Sequence, residues 1–326
     1  MSDPYAFVLR ETGGPEVLVA QPIDLLRPGA RQALVRHEAV GLNFIDTYHR
    51  SGLYKLPLPS GLGNEAAGTV EAVGEDVRGV AVGDRVATFM GPLGAYATHR
   101  AVDADRLVKL PDSLGFEEAA AILLKGCTAE FLIERCAKVQ PGTAVLVHAA
   151  AGGVGSILVP WLKALGAEVI AHAGDSRKAE RARALGADHA LCCPMGELAA
   201  QVRTLTGGRG VPVALDGVGA ASWAASLGSV GKLGLIVTYG NASGPVPPFN
   251  ALDLLAAGSI FVTRPTLGDY NRTEEEMRRS AARLFEMVGK GVVRPEIGSR
   301  FPLLEAARAH RALEARETTG STILIP

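Results

Sequence analysis

"VLVHAAAGGVGS", residues 145–156, is the stretch on which the reading of this chain turns. A β-branched run enters Ala150-Ala151-Gly152-Gly153-Val154-Gly155, and an apolar segment follows. Strand, glycine turn and helix in that order form the dinucleotide-binding fingerprint, here with alanine in place of its first glycine. Gly152 would let the backbone approach a pyrophosphate, and Gly155 would let the helix pack on the strand. The free N–H groups and dipole of the helix start would face the phosphates. An ordinary tight strand–helix turn is the plainer alternative, and the setting between a strand and an apolar helix argues against it.

Downstream the pattern keeps alternating. "AEVIAHA", "VPVALDGV", "LGLIVTYG" and "GSIFVTR" read as strands, separated by helical "SRKAERARALG" and "WAASLGSVG". Such alternation implies βαβ units and a doubly wound parallel sheet. "GSIFVTR", residues 258–264, ends the series and is expected at a sheet edge, a ready place for a second copy to pair. Pro160 inside the first helix deletes one helical hydrogen bond and predicts a kink. A charged helix, "TEEEMRRSAARLFEMVGKG", then opens a C-terminal return that closes with a helix over 303–315 and the strand "STILIP".

The second strand bears on which dinucleotide is bound. NAD-binding versions carry an acid about 20 residues past the fingerprint. Gly174 stands there instead, with Arg177 and Lys178 close behind. That leaves room for a 2′-phosphate and cations to pair with it, so NADPH is expected. Asp175, one residue on, keeps the ribose-binding alternative open.

Upstream, "AFVLR", "ALVRHEAVG", "AAGTVEAVG" and "GDRVATF" are short strands in a barrel-like antiparallel domain. "SLGFEEAAAILLKGCTAEFLIERCAKV" changes to a helical period, with Ser113 as a candidate cap. The formal net charge of −1 gives no reason to expect nucleic acid or an anionic membrane as partner. The most apolar window, 144–165, is broken by His148, glycines and Pro160, and reads better as strand, turn and buried helix than as a membrane span. No export signal is visible at the N-terminus, so a cytoplasmic location is expected. Cys127, Cys136, Cys192 and Cys193 form no C-x-x-C pair and read as small buried thiols.

Across nearly its whole length the chain resembles the zinc-independent quinone oxidoreductases, the zeta-crystallin-like branch of the medium-chain dehydrogenase/reductase superfamily. The resemblance rests on "GGPEVL" at 13–18, "GLNFIDTYHRSGLY" at 41–54, "LPSGLGNEAAG" at 58–68, "HAAAGGVG" at 148–155, "VTRPTL" at 262–267 and the terminal "GSTILIP". It implies a GroES-like β-rich catalytic domain, residues 1–125 and 265–326, and a Rossmann cofactor domain, residues 126–264. In the superfamily's zinc enzymes, ligands fall where this chain has Asn43, Asn64 and a residue near Leu124. All three ligand types are missing here, and so is the four-cysteine structural lobe.

The resemblance therefore implies metal-free hydride transfer from NADPH to a quinone, with an NADPH-dependent enone or alkenal reductase as the nearest alternative. A nucleotide-binding structural or RNA-associated protein is the alternative of another class. It implies that Asn43, Tyr48 and Tyr54 line the substrate cleft, with Asp46 nearby and Glu65 structural. His49 reads as a surface histidine, with a proton donor as the alternative. It places Lys125, Thr128, Tyr239, Asn241, Arg264 and Arg316 on the cofactor, beside Ala151, Gly152, Gly153, Val154, Gly174 and Lys178. It implies a cleft between the domains and a homodimer. One departure stands out: Cys193 occupies the place of a family tyrosine beside the 2′-phosphate.

Overall fold

The computed structural model describes residues 3–25 and 27–326; Met1, Ser2 and Leu26 lie outside the described residues. The chain divides into two compact units. The first comprises Met1–Lys125, Arg272–Phe285 and Pro295–Pro326, and the second Gly126–Asn271 and Glu286–Arg294. The second unit thus runs beyond residue 264, where the strand pattern ends, and takes in the end of the charged helix.

In chain order the strands are β1 (Tyr5–Leu9), β2 (Ala20–Pro22), β3 (Gln32–Leu42), β4 (Ser60–Gly61), β5 (Glu65–Val73), β6 (Arg85–Thr88), β7 (His99–Asp103) and β8 (Val108–Lys109). There follow β9 (Ala144–Val147), β10 (Glu168–His172), β11 (His189–Leu191), β12 (Val211–Asp216), β13 (Val230–Thr238), β14 (Phe261–Thr263), β15 (Ile297–Pro302) and β16 (Ser321–Ile325). The helices are α1 (Phe44–Ser51), α2 (Phe116–Glu130), α3 (Gly155–Ala164), α4 (Ser176–Ala184), α5 (Met195–Leu205), α6 (Trp223–Ser229), α7 (Ala251–Ala256), α8 (Leu267–Tyr270), α9 (Glu274–Gly289) and α10 (Ala306–Glu314).

The first unit is built on β3, whose side chains alternate between buried and half-buried before its last residues become wholly buried. It lies in a sheet of order β15-β16-β3-β5-β6-β8, with β7 also on β3. β15 and β16 run parallel, and the remaining pairs are antiparallel. A smaller sheet has the order β2-β1-β4. Phe7, Val40, Leu42, Leu62, Tyr96 and Leu324 form one core cluster, and Val35, Val70, Val86 and Val102 another.

The second unit holds one parallel sheet of order β11-β10-β9-β12-β13-β14. The order reverses between β9 and β12. That switch point is where open α/β sheets leave a crevice for ligands. Leu146, Ile170, Val202, Ala214, Trp223 and Ile236 fill the core beside it.

Several local expectations are corrected. Ser113 does not cap α2, which begins at Phe116; the Glu118 carboxylate instead accepts the Gly115 N–H at 2.8 Å. The helical reading of 113–139 holds only to Glu130. Phe131–Cys136 widens into a π-helix in which Ala137 N–H reaches Leu132 O. Cys127 is buried, Cys136 and Cys193 are half-buried and Cys192 is exposed, and none of the four is in a disulfide. Among the described residues no helix is long and apolar enough to cross a membrane.

Candidate active site

The glycine turn sits at the switch point, tied to both neighbouring strands. Ala150 N–H donates to His172 O at 3.1 Å, and His148 N–H to Leu215 O at 3.1 Å. Ala149 is held at φ 49°, a conformation that a residue with a Cβ adopts only under constraint. A Cβ at Gly155 would lie 2.4 Å from Ala149 O and 2.7 Å from Ala150 Cα, so only glycine lets α3 begin so close to the turn. Ala151 is buried, Gly152 is exposed, and Gly153 and Val154 are half-buried at the start of the helix. A side chain at Gly174 would meet nothing within 4 Å. Asp175 caps α4: its Oδ1 accepts Lys178 N–H at 2.8 Å, and its Oδ2 lies 3.4 Å from Lys178 Nζ. These contacts hold Asp175 below the usual carboxylate range, led by the bond from the Lys178 N–H. The carboxylate is therefore committed to its own helix and not extended toward a ribose. The cradle, the open position and the adjacent cation fit a phosphorylated dinucleotide.

Elsewhere in this unit, Tyr239 and Asn241 follow β13, with Tyr239 N–H on Asp216 O at 2.8 Å. Thr128 lies in α2. Arg264 follows β14 and donates to Pro265 O at 3.2 Å. Cys193 O accepts from His172 Nε2 at 3.0 Å.

The first unit carries the other half of the expected residues, in a buried polar network. Residues 44–51 form α1, with Asp46, Thr47, Tyr48 and Arg50 buried, so the segment without obvious amphipathic period is a helix after all. Polar residues on its buried side hide the pattern. Asn43 caps it, its N–H donating to Asp46 Oδ2 at 3.0 Å, while its Nδ2 donates to Glu65 Oε2 at 2.8 Å. Glu65 Oε1 accepts Leu124 N–H at 2.7 Å, and Lys125 Nζ lies 3.7 Å from Oε2. Burial raises Glu65, opposed by Lys125, Asn43 and the Leu124 N–H.

Asp46 also takes Asn64 Nδ2 at 2.9 Å and the Tyr96 hydroxyl at 3.2 Å. Burial pushes it up to about 6 against these donors. Arg50 donates to His310 Nδ1 at 3.3 Å, so His310 Nε2–H faces the Tyr96 oxygen at 2.9 Å. Burial, with Arg50 adding to it, lowers His310 to about 3. Arg50 is clamped by Glu314 at 3.0 and 2.7 Å.

Tyr48 and Tyr54 stand together, ring centroids 5.2 Å apart. His49 is half-buried against Tyr54 at 5.8 Å, rather than at the surface. Arg316 is exposed just past α10 at φ 60°. Among the described residues no group of three histidine, cysteine or acidic side chains could hold a metal ion. Sequence reasoning passed over Arg50, Tyr96, His310 and Glu314, and also Asp216, although the end of a parallel strand is where ligand-binding groups gather.

Residues 29–112 match the family described as alcohol dehydrogenase GroES-like domain, and residues 153–285 that described as zinc-binding dehydrogenase. A quinone oxidoreductase of Pseudomonas aeruginosa is 49% identical over 315 residues, covering 96% of this chain and 97% of that one. A 2-haloacrylate reductase of a Burkholderia species is 41% identical over 329 residues, 98% of each. The crystal structure of Escherichia coli quinone oxidoreductase complexed with NADPH superposes with a TM-score of 0.96 at 42% identity, covering 99% of this chain and 100% of that one.

Proposed function

This chain belongs to the zinc-independent quinone oxidoreductases of the medium-chain dehydrogenase/reductase superfamily, and from that premise we propose that it is an NADPH-dependent quinone reductase. The observation that carries the reading is the glycine turn at the switch point, with open Gly174 and Lys178 beside it. Bound NADPH supplies a hydride from C4 of its nicotinamide. The N–H groups of the Ala151–Gly152–Gly153–Val154 turn hold the pyrophosphate, and Lys178 pairs with the 2′-phosphate. Tyr239, Asn241 and Arg264 hold the nicotinamide half, Lys125 and Thr128 flank it, and Arg316 serves the adenine end.

The phenols of Tyr48 and Tyr54, and the amide hydrogen that Asn43 does not give to Glu65, donate to the substrate oxygen where charge develops. A quinone spreads that charge over its own ring, so such donors suffice without a Lewis acid. Solvent completes the reduction by supplying the proton. The catalytic domain is assigned to 1–125 with 265–326, and the cofactor domain to 126–264.

The likeness to a 2-haloacrylate reductase favours one second reading, reduction of a double bond conjugated to a carbonyl group. Initial rates of NADPH oxidation with a benzoquinone and with a matched enone separate the two. Turnover of the enone alone would replace the first reading by the second, and no oxidation with either would overturn both. Exhaustive chelation should leave the quinone rate unchanged.

A cytoplasmic homodimer completes the proposal. β14 lies at the edge of its sheet, and Phe261 on it is 62% exposed, with Leu252 and Leu255 of α7 at 65% and 64%. A two-fold axis would pair β14 with its copy and cover these side chains. Sedimentation as a monomer at micromolar concentration would remove the dimer.

A further inference from the structure

At the switch point of the parallel sheet, below the glycine turn, lies a buried polar cluster with no part in the chemistry above. Asp216 ends β12 and is wholly buried, its carboxylate met by backbone N–H groups and serine hydroxyls. Its Oδ1 accepts Val218 N–H at 2.8 Å, Gly219 N–H at 3.2 Å and the Ser222 hydroxyl at 2.7 Å. Its Oδ2 takes Ser226 Oγ at 2.6 Å and lies 2.7 Å from the same Ser222 hydroxyl. Ser226 Oγ also lies 2.9 Å from Nε2 of His148, the last residue before the turn. A hydroxyl has one hydrogen to give, and the carboxylate can only accept it. Ser226 therefore donates to Asp216 and accepts from His148, which fixes the Nε2–H tautomer. Nδ1 of His148 is then a bare lone pair, buried and without a partner among the described residues.

The same aspartate shapes the turns that follow β12 and β13. Its backbone carbonyl holds Tyr239 N–H, and the 217–219 turn packs tightly on Gly240. A Cβ at Gly240 would lie 2.4 Å from Gly217 O. We infer that Asp216 is a positioning residue for the nicotinamide half of the cofactor: through Ser226 it orients His148 at the head of the glycine turn, and through its backbone donors it holds the 217–219 turn against Tyr239 and Asn241. The inference rests on the NADPH reading. The adenine end at Gly174 and Lys178 follows β10 and is not among the groups that the carboxylate bonds.

The test is Asp216→Asn in the full chain. The Val218 and Gly219 N–H groups demand an oxygen opposite them, so the new NH2 faces Ser226. The serine hydroxyl must then donate to His148 Nε2, and the histidine proton moves to Nδ1. Dissociation constants are measured for NADPH and for adenosine 2′,5′-bisphosphate, which lacks the nicotinamide half. NADPH binding should weaken at least tenfold, the bisphosphate should stay within twofold, and the ¹⁵N shifts of His148 should report the changed tautomer. Equal weakening of both probes means general loosening and overturns the inference, as does no change in either. If Asp216→Asn does not fold, Ser226→Ala takes its place. It keeps the charge and should weaken NADPH binding about threefold, spare the bisphosphate and free the tautomer, with Ser226→Thr restoring both. A Ser226→Ala protein that matches wild type in binding and in ¹⁵N shifts overturns the inference. A wild type that binds neither probe overturns the NADPH reading and this inference together, whereas wild-type binding with an unchanged variant overturns the inference alone.

Discussion

Asp46 in the first unit and Asp216 in the second are both carboxylates cut off from water, yet they are shifted in opposite directions. At Asp46 burial prevails: Asn64, the Asn43 N–H and Tyr96 donate to it, and it still rises to about 6. At Asp216 burial works the same way, but the converging donors Ser226, Ser222 and Val218 N–H outweigh it and lower the pKa. The cost of removing a charge from water is fixed largely by depth, and its recovery by how many donors converge. Asp216 is placed where two turns and the start of a helix meet, so short local bonds surround it. Asp46 has one local donor, the Asn43 N–H, and draws the others from Asn64 and Tyr96, remote in sequence.

The largest effect should come from erasing the better-satisfied carboxylate. Asp216→Ala leaves several buried donors without a partner and should lower unfolding free energy by about 5 kcal/mol in denaturant titration. A loss under about 1 kcal/mol would mean that the cluster is not the tight network described. Next comes Glu65→Gln, which strands the Lys125 ammonium beside a neutral amide. It should cost about 4 kcal/mol, and restoring stability by the added change Lys125→Met would identify the stranded charge as the cause.

The pH dependence separates the two aspartates directly. With its folded pKa raised from 3.8 to about 6, Asp46 binds a proton in the folded state before it does in the unfolded one. Its ionisation therefore destabilises the fold as pH rises through that window. Wild type should gain roughly 2 kcal/mol relative to Asp46→Asn between pH 7 and pH 4. Asp216 is lowered, so its contribution is present above its unfolded value and lost only as pH falls through the folded one. The difference between wild type and Asp216→Asn should be flat from pH 7 to pH 5. Parallel curves for the two variants would dissolve the contrast.

Charges nearer the surface should matter less. Lys178→Ala should weaken NADPH binding by about 1–2 kcal/mol and leave NADH nearly unchanged, as read by fluorescence titration. Equal losses for both cofactors would remove Lys178 from the phosphate. Asp175→Ala removes only a cap on α4 and should cost about 1 kcal/mol of stability. A cost as large as that of Glu65→Gln would show that exposure is a poor guide here.

β9, β10, β12 and β13 were legible because they bury apolar runs rich in β-branched residues. The glycine turn was legible because its spacing is dictated by backbone contacts as close as that of Gly155 with Ala149. α1 was not, since its buried side carries Asp46, Thr47 and Arg50, and polar residues give no hydrophobic period. The pairing of Arg50 with His310 and Glu314 had no local signal, because the partners meet only through tertiary structure. β11 and α5 were overlooked: the strand is three residues long and its side chains are only half-buried. The π-turn at Phe131–Cys136 is set by packing around an otherwise regular helical sequence.

The pairing of β16 with β3 has a consequence for the order in which the chain is made. One edge of β3 is shared: β7 covers Gln32–Arg36, and β16 covers Val40–Leu42. On the ribosome β7 arrives soon after β3, but Thr322, the partner of Leu42, is translated only after all six strands of the parallel sheet. Through that interval the end of β3 displays unpaired backbone groups beside apolar side chains, an invitation to pair with a neighbouring nascent chain. Slow translation or a ribosome stalled before Ser321 would prolong that exposure, so the yield of native protein should depend on how promptly the last strand is delivered.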